Sequence, residues 1–279
     1  VAFRPAGGPA GVAVKRDRPG GAALAAALMV AIFLLLPLLA VVPISFTPAR
    51  FLSMPRGSWS LVHYRELVDN PDWGASVLLS LRIGVLSSLL ATVLATLFAL
   101  GIWMTQPRMT ALLVGFVLLP MVVPPIVSAM TLYFLLTGLS QLAPLLGYDT
   151  WPGVVLAHVV MIAPFAVLLI LVALAGVDRR IDLAARGCGA TVTQRALRVI
   201  LPNIRFGVLM AALLSFVLSW EEIGVTLFIT SVNAITLPRL MWMGVHDNVD
   251  PAIAAVSVVL IAITTLVLIG RMMFQRSDT

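Results

Sequence analysis

The segment Ser219-Trp220-Glu221-Glu222 sets two carboxylates side by side inside an apolar run that extends from about 206 to 230. Counted from Phe206, Glu222 falls near the middle of that run or slightly beyond it. If the run crosses a membrane, each acid costs on the order of 2.5–3.5 kcal/mol at the centre, against about 0.3–0.6 kcal/mol returned by a leucine. Exposing both acids to lipid would cancel roughly ten leucines, so the pair must face protein or a water-filled path. Two chemistries fit. With Ser219 beside them and the Trp220 ring offering a cation–π face, the carboxylates could line a path that favours cations. Alternatively, one glutamate is neutral or hydrogen-bonded to neighbouring helices and serves structure alone.

Other polar groups lie in the remaining apolar runs. Ser128, Thr131 and Tyr133 follow Pro120, Pro124 and Pro125. Broken helices often line transport paths, and those hydroxyls could face a pore, although prolines are also ordinary packing features of membrane helices. His158 reads as a hydrogen-bonded packing histidine in preference to a ligand. Arg82 either partners a glutamate or snorkels to the interface. Met241-Trp242-Met243 reads as part of a short interfacial helix, not a ligand box.

The second polar feature is residues 178–206, DRRIDLAARGCGATVTQRALRVILPNIRF, the one long basic interruption in the apolar second half. Ile181, Ala184, Ala185 and Cys188 share one helical face, made mostly of small side chains that let a partner approach closely. Gly187 and Gly189 punctuate that helix. Thr191 with Gln194 forms a capping-box pattern that starts a second piece. Thr193, Ala196, Leu197 and Ile200 line one face of it, Arg195 and Arg198 another, and Pro202 is expected to end it.

These groups must be held by helices that cross a membrane. The 279 residues are 61% hydrophobic and 11% charged, where a soluble domain carries roughly 25% charged residues. Apolar runs cover about 21–46, 75–103, 111–138, 151–176, 206–230 and 251–273. Each is roughly 23 to 29 residues, against about 20 needed to cross the hydrocarbon core. They are continuous rather than alternating, so they are helices and not barrel strands. The first run has a basic flank, as a signal peptide does, but is about twice the length of a signal-peptide core. A retained span is the expectation, with Pro37 and Pro43 kinking or ending it. Ser60 is expected to cap a short helix through Val68. Asn70-Pro71 and Asp250-Pro251 each pair a cap with a proline at a helix start. The expected fold is an all-α membrane protein with six transmembrane helices, preceded by a basic, disordered tail at 1–20.

Charge sets the orientation. With the N-terminus inside, cytoplasmic segments hold 13 of the 18 basic residues: four in the tail, Arg108, six from Arg179 to Arg205, and Arg271 with Arg276. Arg50, Arg56, Arg65 and Arg239 fall outside, and Arg82 lies within a span. Both termini and the 178–205 loop are therefore expected in the cytoplasm. This bias explains the net charge of +6 without nucleic acid. The sole lysine, Lys15, leaves no phosphate-binding Gly-Lys-Ser/Thr loop, so the chain cannot hydrolyse ATP in that manner. The single cysteine, Cys188, excludes an intrachain disulfide and a multi-cysteine metal site. No resident metal or cofactor is expected.

The spacing Ala184-Ala185, Gly189, Val199, Leu201-Pro202 resembles the EAA loop of inner-membrane permeases of binding-protein-dependent ABC importers. That resemblance implies a coupling helix seated in a groove of a separate ATPase, with Asp182, Leu183, Ala184, Ala185, Arg186, Gly187, Gly189 and Pro202 as its coupling residues. The family's signature Glu falls at Leu183, and Asp182 is the nearest acid. The stretch SWEEIGVTLFIT, followed by ITLPRLMWMGVHDNVDPAIAAVS, resembles the second permease of spermidine/putrescine importers. It implies a cationic, polyamine-like substrate, with Ser219, Trp220, Glu221, Glu222, Tyr133 and Ser128 on its path. The implied partners are a dimeric ATPase that binds ATP and Mg, a second and different permease chain, and an extracytoplasmic binding protein. The implied location is a bacterial inner membrane. Two other classes compete: a proton-coupled secondary transporter using Glu221 and Glu222, and a non-transporting anchor for a peripheral ATPase.

Overall fold

The computed structural model describes residues 21–247 and 250–276. The expected tail at 1–20 lies outside the described residues. The chain is helical: α1 (Gly21–Ile44), α2 (Val62–Asp69), α3 (Pro71–Thr105), α4 (Thr110–Val122), α5 (Pro125–Leu142), α6 (Trp151–Ala175), α7 (Arg179–Gly187), α8 (Val192–Asn203), α9 (Arg205–Trp220), α10 (Gly224–Ile229), α11 (Leu237–Asp247) and α12 (Ala252–Arg276). Among the described residues there is no strand.

The local signals act much as expected. The Asn70 side chain accepts from the Asp72 amide, with Pro71 in the first helical turn. Asp250 accepts from the Ala252 amide at the start of α12. Ser60 accepts from the Val62 amide ahead of α2. Pro37 is carried inside α1, which ends just after Pro43.

α3 packs along α6, and α9 packs against both. Between its ends the buried face of α3 is mostly small, Ser76, Ser80, Gly84, Ser87, Ser88, Ala91, Thr92, Ala95, Thr96 and Ala99 with Ile83 among them, while Trp73, Leu100 and Trp103 are buried at the ends. Its outward face carries Leu78, Leu81, Val85, Leu86, Leu89, Leu90, Val93, Leu94 and Leu97. A water-soluble helix would reverse that distribution. In lipid, where apolar side chains gain nothing by turning inward, close packing of small residues holds helices together. α1 has no buried residue at all.

Four of the described helices are long and apolar enough to cross a membrane, α1, α3, α5 and α6, or five if α8 and α9 count as one span bent by 75°. Two of the six expected runs are interrupted. The run at 111–138 is split at Val123-Pro124, where Val123 is extended and the proline opens α5. The run at 206–230 stops at Trp220 and resumes at Gly224. The last run forms one helix of 25 residues, α12. Pro202 does not end the second piece of the basic loop. It sits in the first turn of a short helical continuation, and the chain breaks at Ile204 instead.

Polar segments gather at two opposite ends. At one end, Trp103 at the foot of α3 meets Arg179 of α7, whose guanidinium carbon lies 5.1 Å from the ring centroid. At the other, the head of α3 packs with α2 and α11, and Leu237 donates its amide to Ser80.

Candidate functional site

The helix break at Glu221–Ile223 faces the break at Val123–Pro124 across one cleft. This space of about 480 Å³ is walled by Pro120, Met121, Val123 and Pro125 from the α4–α5 junction. Met161, Ile162 and Phe165 of α6 form its floor, and Leu218, Glu221, Glu222, Ile223 and Gly224 close it. Both glutamates therefore border one cavity, and its other walls are apolar.

The two acids are not equivalent. Glu222 is half-buried, and its Oε1 accepts from the Val225 amide at 2.9 Å, capping α10. Its own carbonyl accepts from the Thr226 hydroxyl at 3.0 Å. Glu221 is exposed, and among the described residues its carboxylate has no hydrogen-bond partner. Its amide closes the last turn of α9 on the Val217 carbonyl.

His158 holds the break in shape. It is buried, with Nδ1 2.8 Å from Ser219 Oγ on α9 and Nε2 3.0 Å from Thr226 Oγ1 on α10. One imidazole on α6 thus spans the two sides of the interruption. Ser219 is buried against this histidine and away from the cleft. Trp220 stacks on Phe216 with centroids 6.0 Å apart and packs with the cluster around Trp73, Leu237 and Val256. It does not line the cleft. Tyr133 packs edge-on against Tyr148 at 5.4 Å, and Ser128 is half-buried; neither borders the cleft. Arg82 lies over the Trp151 ring, 3.7 Å from its centroid, and not beside a glutamate. Of the six residues expected on a path, the structure brings together Glu221 and Glu222.

At the other polar end, the basic loop is a folded unit. The Asp178 side chain caps α7 by accepting from the Arg180 amide. The helix closes on Gly189, whose φ of +77° is left-handed. The Gly189 amide bonds to the Arg186 carbonyl and the Ala190 amide to the Ala185 carbonyl, the paired pattern of a Schellman turn. Thr191 and Gln194 form the expected reciprocal capping box. The segment Arg195–Ile200 is wound as a π-turn. This shifts the expected face: Ile200 and Arg195 are buried, whereas Leu197 and Thr193 are exposed.

Asp182 is the pin of this unit. It is buried and accepts from Arg195 Nε at 2.7 Å and Nη2 at 2.8 Å, and from Arg186 Nε at 3.0 Å. The Arg195 hydrogen bond is the largest influence on its carboxyl; with the charges of Arg195 and Arg186 it outweighs burial and holds the group below its ordinary range. Leu183, Ala184, Arg186, Gly187 and Gly189 are exposed and Ala185 half-exposed, and of these Arg186 reaches back to Asp182. Pro202 lies in the α8 continuation, next to the bend into α9.

Sequence reasoning missed Asp149. Its carboxylate gathers the amides of Ser231, Val232, Asn233 and Ala234, tying the loop before α6 to the loop before α11. Burial opposes its charge, yet those four backbone donors hold the pKa below the ordinary range. The Gly-Tyr-Asp-Thr turn ahead of Trp151 marks a helix start but gives no hint of a partner more than eighty residues on.

A family model described as "binding-protein-dependent transport system inner membrane component" matches residues 91–278. The spermidine/putrescine transport system permease protein PotC of Haemophilus influenzae is 28% identical over 250 residues, covering 88% of this chain and 93% of that protein. The putrescine transport system permease protein PotI of Escherichia coli is 28% identical over 84% of each. A probable molybdenum ABC transporter permease protein of Haloferax volcanii is 33% identical over 67% of this chain and 71% of its own length. Among solved structures, a bacterial ABC transporter involved in the import of the acidic polysaccharide alginate aligns over 91% of this chain and 95% of its own, with a TM-score of 0.70 and 17% identity. At that identity the likeness speaks for the fold alone.

Proposed function

This chain belongs to the inner-membrane components of binding-protein-dependent transport systems, and on that premise we propose that it passes a small cationic, polyamine-like solute across the membrane along Glu221 and Glu222. As a permease subunit of an ABC importer it carries out transport and no catalytic step. The observation that supports a cationic cargo is the cleft, where two interrupted helices meet and two acids are the ionisable wall. The C-terminal end of α9 meets the N-terminal end of α10 at this wall, so their partial charges offset. The ends of α4 and α5 face one another and offset. The carboxylates therefore favour a cation and oppose an anion. The named cargoes of the relatives include polyamines and molybdenum, so the charge of the cleft selects between them.

Energy enters at the other end. An ATPase dimer, binding ATP and Mg, receives the exposed face of α7 from Leu183 to Gly189, and its closure moves the loop as a lever that switches the access of the cleft. A second permease chain completes the path, and an extracytoplasmic binding protein delivers the solute at the end bearing α2 and α11.

The test is uptake of labelled putrescine by the assembled importer in proteoliposomes. A monocation about 5 Å from one carboxylate gains about 3 kcal/mol at an effective dielectric constant near 20. Glu221→Gln leaves the capping of α10 intact and should lower uptake at sub-saturating substrate at least tenfold, with assembly unchanged. Equal uptake by wild type and variant rejects the acidic path.

A further inference from the structure

Three ligand-type side chains converge at the end of the fold remote from the basic loop. His63 and Glu66 lie one turn apart on α2, and Asp250 stands just ahead of α12, which packs on α2. One ligand atom from each lies within 4.8 Å of the others. None of them takes part in the cleft or the basic loop.

His63 is only 5% exposed, and its orientation is fixed. Its Nε2 lies 3.0 Å from the carbonyl oxygen of Ala49. A carbonyl only accepts, so Nε2 carries a proton and donates it. The other nitrogen, Nδ1, points at the carboxylates, with Glu66 Oε2 at 3.3 Å. In the neutral ring that nitrogen is a lone pair facing a carboxylate oxygen, two acceptors with nothing between them. A cation resolves the conflict. An imidazole whose far N–H is tied to a backbone carbonyl, with its near nitrogen free, is the arrangement that orients metal-ligating histidines.

The distances and donor set narrow the choice. Zinc bonds to nitrogen and oxygen run about 2.0–2.2 Å, which makes a tetrahedral edge of about 3.4 Å, close to the 3.3 Å between Nδ1 and Oε2. Calcium and magnesium prefer all-oxygen shells, whereas one imidazole with two carboxylates suits zinc. Asp250 uses Oδ1 to cap the Ala252 amide at 2.8 Å, leaving Oδ2 uncommitted to that bond. Glu66 is exposed and Asp250 half-exposed, so a cation can enter from solvent and water can complete the shell.

We infer that His63, Glu66 and Asp250 form a Zn2+ site that clips α2 and the Ala49 segment to the start of α12. The site departs from the expectation of a metal-free chain, which rested on cysteine patterns. Nothing in it depends on the transport reading or on the cargo.

The full chain, stripped with chelator in lipid nanodiscs, is titrated with Zn2+ by calorimetry and with Co2+ by visible absorption. A Cys188→Ser background removes the exposed thiol as a competing ligand. The expected result is one equivalent bound and a Co2+ ligand-field band that His63→Gln abolishes. Glu66→Gln and Asp250→Asn should each weaken binding at least tenfold, as even second-shell losses do. Asparagine at 250 keeps the cap on Ala252, so that variant stays folded. Zn2+ should raise the unfolding temperature of the parent and not of Asp250→Asn. The inference is overturned by absence of saturable binding or by equal affinity in all three variants. It is equally overturned by a His63 Nδ1–H NMR signal that persists in excess Zn2+, since a proton would then be the cation that occupies the gap.

Discussion

Asp182 shows how one residue takes a role that its neighbours suggest for another. It lies one position before Leu183, where the resemblance to the EAA loop places a glutamate. In the structure it turns inward to Arg195 and Arg186 and leaves Leu183 on the outside. The pair with Arg195 is buried on both sides, with 7% and 8% side-chain exposure, whereas Arg186 is half-exposed. Removing one partner of a buried pair costs about 3–5 kcal/mol, while a surface pair contributes about 0–1 kcal/mol. Asp182→Ala should therefore speed amide exchange throughout 179–200, and Arg186→Ala should leave it nearly unchanged. Similar protection in both variants would refute the buried pin. The pH dependence has a fixed sign. Because the folded pKa is lowered, the pair's contribution is fully present above the ordinary aspartate value of about 3.9. It is lost only as pH falls below that value through the lower folded pKa. The loop should therefore hold its exchange protection at pH 5. The sequence made Asp182 conspicuous as an acid among arginines. It could not pick the partner, because Arg195 lies beyond a Schellman turn and on a π-wound segment whose face no 3.6-residue count predicts.

At the scale of elements, glycines report where helices meet. A Cβ on Gly207 would overlap the Cβ of Ala173, where α9 crosses the end of α6. Gly207→Ala must push the two apart and should cost about 1–3 kcal/mol, read as a lower unfolding temperature in nanodiscs. Gly101→Ala, with nothing within 4 Å of the added carbon, is the control. Gly189 is a different case, with open space around it but a left-handed φ of +77°. Asp and Asn tolerate that conformation better than other residues, so Gly189→Asn should keep α7 folded. If the turn also seats in an ATPase groove, Gly189→Asp should abolish coupled uptake while the isolated chain unfolds normally; full uptake would count against the lever. Most helices were legible because long apolar runs admit one solution in a membrane. The split at Pro124 was announced by its prolines. The interruption at 221–223 was not, since no proline precedes it and only Gly224 follows. What marks it is chemical: His158, placed by sequence as a packing residue, bonds across the gap to Ser219 and Thr226.

For the whole molecule, the question is where the work comes from. The cleft and the basic loop stand at different levels of the same bundle, joined by α9, which runs from the bend at Ile204 to the glutamates. Under the proposed function, a push on α7 and α8 would reach Glu221 through α9, which meets α8 at a 75° bend. This chain has no phosphate-binding lysine loop, so ATP could drive such a linkage only through a partner. Proteoliposomes holding this chain with its permease partner and ATPase should take up solute only with ATP. The rate should be unaffected by an uncoupler that collapses the proton gradient. The same membranes without the ATPase should show none. A proton-coupled carrier reverses both results: uptake survives loss of the ATPase and fails with the uncoupler. An anchor without transport gives no uptake in any preparation, although the ATPase still co-purifies. Glu221→Gln adds the second axis, since it should lower uptake in the complete system while leaving ATPase co-purification unchanged. Loss of both in that variant would place the defect in assembly, and retention of both would remove the carboxylate from the path.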